Sequence, residues 1–167
     1  MNPLVIVCLC LSSYALVSCK PTDSDSQKIN FSHNQLFDIQ NDMALLQTLS
    51  LRQNQESAIF QQQALNVIRS GNSKQIDQVV QNLQQQVDQF NQQLRNLVLS
   101  STEVDTIRRK MIRSYNLSME LAQQGAAKQP DTQKIERLQQ QLTKVQDEIH
   151  QLQDQALSKI NHAKLAS

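Results

Sequence analysis

The chain has 167 residues, with sixteen basic and fifteen acidic side chains and a net charge of +1. Two glycines, three prolines, no tryptophan and only four phenylalanines and two tyrosines, beside much Leu, Gln, Ala and Lys, describe long helices and not sheet. The balanced charge argues against a dedicated nucleic-acid binder, and the three cysteines, Cys8, Cys10 and Cys19, leave nothing later in the chain to build a disulfide framework.

Residues 4–18 read LVIVCLCLSSYALVS, an uncharged run too short for a comfortable membrane span of ~20 residues. It has the length of a signal-peptide core, ends in small residues, and is followed at once by the polar stretch KPTDSDSQK. Residues 1–18 therefore read as a signal peptide, 19–27 as a polar tether headed by Cys19, and 28–167 as a helical bundle.

The four residues Leu16-Val17-Ser18-Cys19 resemble a bacterial lipobox. The resemblance implies that the thiol of Cys19 receives a diacylglycerol, that the signal is cut just before it, and that the new amino terminus carries an acyl chain such as palmitate. The physics is consistent, because two or more acyl chains anchor a protein stably at ~0.8 kcal/mol per buried CH₂, whereas one holds it only marginally. Lipoproteins of this kind with a residue other than Asp after the cysteine usually reach the outer membrane, and Lys20 occupies that place. The expected location is the cell envelope, in the outer membrane facing the periplasm. The tether of ~8–10 residues could hold the folded part up to roughly 30 Å from the bilayer.

Beyond the tether, helix punctuation falls at SGNS (70–73) and QQGAAKQPD (123–131). Gly71 suits a left-handed helix end with Asn72 or Ser73 capping the next helix, Gly125 is expected to close a helix in the same way, and Asp131 after Pro130 suits an N-cap. A weaker break sits at LSSTEVD (99–105), where Ser101 or Thr102 could cap.

The first segment, about 28–70, carries the stripe Leu36, Ile39, Met43 and Leu46, but its other apolar residues drift around the helix. So wide a face suits packing against two neighbours. In the next segment Ile76, Val80, Leu83, Val87, Phe90, Leu94 and Leu97 alternate spacings of 4 and 3. Ile135, Leu138, Leu142, Val145, Ile149, Leu152 and Ala156 do the same in the last segment. This is the 3.5-residue period of a coiled-coil seam. The phase of the second segment runs on through Val104, Met111, Tyr115 and Ala122, with Ser101, Arg108 and Ser118 as polar gaps, so one helix from about 74 to 124 is expected. The fold class is all-α: an elongated antiparallel three-helix bundle or coiled coil, with a four-helix bundle as the alternative if the chain breaks near 99–102. Gln139, Gln146 and Gln153 flank the last seam as uncharged, water-compatible helix formers.

No catalytic motif emerges. His150 and His162 are too far apart for the i, i+4 pairing of a helical metal site, and with His33 they read as surface residues. No Gly-rich phosphate loop exists, and no metal, cofactor or enzyme activity is expected. One basic cluster, Arg108, Arg109, Lys110 and Arg113 in TIRRKMIRS, could contact an anionic surface, against the plainer reading of a solvated face paired with Glu103 and Asp105. The expected partners are the membrane, through acylated Cys19, and an envelope protein meeting the helices in a structural or adaptor role. A second copy would be a partner where a seam is left unfilled. The alternative function is a secreted amphipathic bundle that opens to bind lipid or another apolar ligand, an architecture similar to that of exchangeable insect apolipoproteins.

Overall fold

Four helices follow one another in a computed structural model that describes residues 31–165. They are α1 (Leu36–Ser70), α2 (Ser73–Asn96), α3 (Thr102–Ala126) and α4 (Thr132–Leu165). The expected three-helix bundle is thus corrected to the four-helix alternative, because the chain between 74 and 124 is not one helix. The signal peptide and tether assigned to 1–27, and Cys19 itself, lie outside the described residues.

The punctuation is mostly where the residues place it. Gly71 takes φ +67°, and its N–H donates to the Ile68 carbonyl at 3.2 Å, ending α1. The Asn72 side chain then accepts from Gln75 N at 3.3 Å and starts α2. Asp131 caps α4 by accepting from Lys134 N at 3.0 Å. Gly125 departs from expectation. It lies inside α3, which ends one residue later on an extended Ala127. The first helix also starts later than 28, at Leu36, because residues 31–35 are used for a different contact described below.

Neighbouring helices run antiparallel, as their cross-links show. Asn91 on α2 bonds Asn116 on α3 at 2.8 Å, and Gln84, seven residues earlier, meets Gln123, seven residues later, at 3.1 Å. Lys110 and Glu103 on α3 meet Glu148 and Lys159 on α4 in the same reversed order. Since α2 begins at Ser73, well before Gln84, the α1–α2 hairpin projects about two turns, roughly 12 Å, past the end of α3.

Two apolar clusters fill the interior. One, at the end of the bundle shared by all four helices, centres on Ile39, Leu46, Phe90, Leu94, Ile107 and Ile160. The other lies between α3 and α4 and holds Leu117, Leu121, Ile135, Leu138, Leu142 and Val145. Each such side chain contributes about 1.5–3 kcal/mol when fully buried. Phe90 and Tyr115 meet edge to face with ring centroids 4.7 Å apart. The α4 seam is buried or half-buried throughout, as its period requires. In the outer half of α1 the inward positions pass instead to Gln53, Ser57 and Ala64, while Ile59 stays exposed. Apolar residues on that stretch are therefore a poor guide to its inner face.

Candidate functional site

The polar groups of the bundle converge at one end, where the chain enters and where α2 hands over to α3. Asp42, nearly two turns into α1, is buried. Its Oδ2 accepts from Ser100 N at 2.9 Å, Ser101 N at 2.6 Å and Ser101 Oγ at 2.7 Å. Ser101 is the N-cap residue of α3, but its own hydroxyl caps nothing. The helix N-terminus is instead met by a carboxylate from another helix, which also suits the positive end of the helix dipole. This contact breaks the expected helix 74–124 at residues 97–101.

The entering segment, residues 31–35, closes over the same link. Ser32 N donates to Ser100 O at 2.7 Å, and the Ser32 carbonyl accepts from Thr102 N and from Thr102 Oγ1, both at 3.0 Å. This is a short parallel bridge between residues 32 and 101. Asn34, with φ 57°, turns the chain into α1. Asn34 N donates to Glu103 Oε1 at 3.0 Å, and Lys159 Nζ on α4 reaches both Glu103 Oε1 at 3.1 Å and Asn34 Oδ1 at 2.5 Å. Burial pushes the Glu103 carboxyl up. Bonds from its own backbone, from Asn34 and from Lys159, with the charge of Lys159, outweigh that and hold it below the ordinary carboxylate value. The entering segment, the link, α3 and α4 are thus tied at one point.

The basic cluster divides. Arg108 Nη1 donates to the Leu97 carbonyl at 2.9 Å, satisfying the open end of α2, and its other nitrogen pairs with buried Asp105. Arg109 pairs with the same Asp105 at 3.1 Å, and Lys110 pairs with Glu148 at 2.6 Å. Arg113 is exposed. Two of the four candidate surface cations therefore share Asp105 and one of these secures the helix break. His33, His150 and His162 are all exposed, and His33 Nδ1 lies 3.7 Å from Glu103 Oε1.

Among the described residues no group of three or more His, Cys, Asp or Glu is placed to hold a metal ion. None of the helices there is long and apolar enough to cross a membrane. A shallow hollow open to solvent runs along α4 between Glu136 and Asp147, lined from that helix alone. What sequence reasoning missed is the clasp itself. Ser100 and Ser101 mark a break, but nothing local points to Asp42 as their acceptor.

Residues 38–161, almost the whole of the four helices, match the family described as uncharacterised lipoprotein PM1805. The chain belongs to this family of bacterial lipoproteins. The matched stretch begins after Cys19 and the tether, so the membership rests on the bundle and stands apart from the lipobox resemblance. A lipoprotein associates with the cell envelope, which fits the expected location at that coarser level. No curated protein and no solved structure matches the chain.

Proposed function

We propose that Cys19 is acylated after removal of residues 1–18, and that the bundle is held at the periplasmic face of the outer membrane. There it acts as a structural or adaptor element that meets an envelope protein through its helices, without catalysis, cofactor or nucleic acid. The observation that supports this reading is the place where the chain enters the fold. Ser32 and Asn34 are bonded to the Ser100–Glu103 stretch, so the anchor side of the chain joins one end of the bundle and not its middle. From that end the 35 residues of α1 carry the α1–α2 hairpin about 50 Å outward. A bundle tethered in this way presents its helix faces at a distance from the lipid, as an adaptor requires.

Fractionation of cells carrying wild-type protein or Cys19→Ser tests the reading, together with the intact mass of the membrane-bound form. The expected result is a chain starting at Cys19 with diacylglycerol and an acyl group, released from membranes by the substitution. A Cys19→Ser protein that stays membrane-bound, or a mature chain with a bare or different start, refutes it.

A further inference from the structure

We infer that the clasped end of the bundle is a membrane seat. Phe31, Leu36, Phe37 and Val98 rest in the lipid headgroup region of the bilayer that holds the chain's own anchor. This inference rests on the anchoring proposed above.

The four side chains are 37%, 39%, 75% and 59% exposed, a concentration of large apolar groups at one end of the molecule. The clasp brings them together. Phe31 precedes Ser32, which is bonded to Ser100, and Val98 lies two residues before Ser100 in the link. Leu36 and Phe37 open α1, whose Asp42 is bonded to the same Ser100. Phe37 lies two residues from fully buried Ile39, hence about 200° around the helix and away from the core. Side chains on a helix lean toward its N-terminus, so Phe37 inclines toward the entry end. Burying such groups gains about 25 cal/mol per Å² of apolar surface; Phe37 and Val98 are more than half exposed, while Phe31 and Leu36 are partly covered by the bundle and border them. Exposed Arg95, three residues before Val98 in the last turn of α2, adds a cation at the level where anionic headgroups lie.

The chain outside the structure names the occupant. Twelve peptide steps separate Cys19 from Phe31, a span of at most about 40 Å, which is less than the bundle's own length. The apolar end is therefore the part of the bundle held nearest the bilayer. Tethering makes its contact intramolecular, with an effective concentration on the order of millimolar. A patch too small to bind membranes unaided is then occupied.

The chain has no tryptophan, so a single introduced indole reports alone. Full-length acylated Phe37→Trp, Val98→Trp and, at the exposed outer part of α1, Ile59→Trp would be reconstituted into phosphatidylethanolamine–phosphatidylglycerol vesicles. The vesicles would carry bromine on the upper acyl carbons, and intact mass would be measured on the same samples. A seat ~5–10 Å deep predicts about twofold quenching in the Phe37→Trp and Val98→Trp proteins and none in Ile59→Trp. Acylated, vesicle-bound protein whose indole at position 37 or 98 is unquenched overturns the seat and leaves the anchor standing. Equal quenching in all three variants means that the bundle lies flat, and also overturns it. A blue-shifted but unquenched indole at position 37 means that protein covers the patch, and the seat falls in that case too. A mass without acyl groups removes the anchor, and the seat with it.

Discussion

Replacing Asp42 by Ala removes the single acceptor shared by Ser100 N, Ser101 N and Ser101 Oγ, at 2.9, 2.6 and 2.7 Å. Hydrogen bonds to a charged group contribute about 1.5–3 kcal/mol each, and an abandoned buried donor costs about 1–3 kcal/mol. The three losses do not add. Ser100 is exposed, and its N–H recovers water, while Ser101 is buried and does not. The expected cost of Asp42→Ala is about 3 kcal/mol. Asp42→Asn keeps the shape and one acceptor oxygen but loses the charge, and should cost about half as much, since charge-assisted bonds are roughly twice as strong as neutral ones. At about 2–4 °C per kcal/mol for a domain of this size, the alanine variant should melt roughly 6–12 °C lower by circular dichroism near ~222 nm. Ser101→Ala alone should cost about 1 kcal/mol, and almost nothing in the Asp42→Ala background, because the hydroxyl then has no acceptor to lose. Amide exchange at Ser100 and Ser101 should accelerate before global unfolding. An alanine variant within about 0.5 kcal/mol of wild type, or a Ser101→Ala cost that is the same in both backgrounds, would refute the claim that Asp42 holds the α2–α3 link.

Leu94→Ala, at a fully buried position of the four-helix cluster, should cost about 3–4 kcal/mol in urea unfolding, whereas Ile59→Ala, 63% exposed, should stay within about 0.5 kcal/mol. Tyr115 offers a spectroscopic check. Burial pushes its hydroxyl up to about 12 from the ordinary 10.0. In a chain starting at Cys19 it is the remaining tyrosine of the two, so phenolate absorbance near ~295 nm reads it directly. Below pH 10 the group is protonated in both the folded and the unfolded chain. Between 10 and about 12 the unfolded chain gives up its proton and the folded chain keeps it, so stability falls as pH rises through that window, by about 2–3 kcal/mol in all. Tyr115→Phe should flatten this part of the stability curve, and a native titration midpoint near the ordinary 10.0 would show the ring to be better solvated than its packing against Phe90 implies.

Helix content, the α4 seam, the Gly71–Asn72 turn and the Asp131 cap were all readable from the residues alone, because each depends on groups within a turn or two of one another. The 3.5-residue period reports which face is apolar, and capping residues act on amides three positions away. The lipoprotein character was likewise local, written in the four residues ending at Cys19 and matched independently by the family of the bundle. The break at 97–101 was not. Its apolar phase carries on from Leu94 through Val104 to Met111 with Ser101 and Arg108 as polar gaps, since the link keeps the same face inward, and period cannot distinguish a continuous helix from two in register. What decides it is a carboxylate 58 residues away in the chain from Ser100. The basic cluster shows the same limit. The pairing of Arg108 with Asp105 follows from helical spacing, and only the tertiary structure turns its other nitrogen onto the open carbonyl of Leu97 across the link. Local chemistry determined the helices and their seams. Long-range partners for the backbone groups left open at helix ends decided how many helices there are, and brought Phe31, Leu36, Phe37 and Val98 to the end where the chain enters.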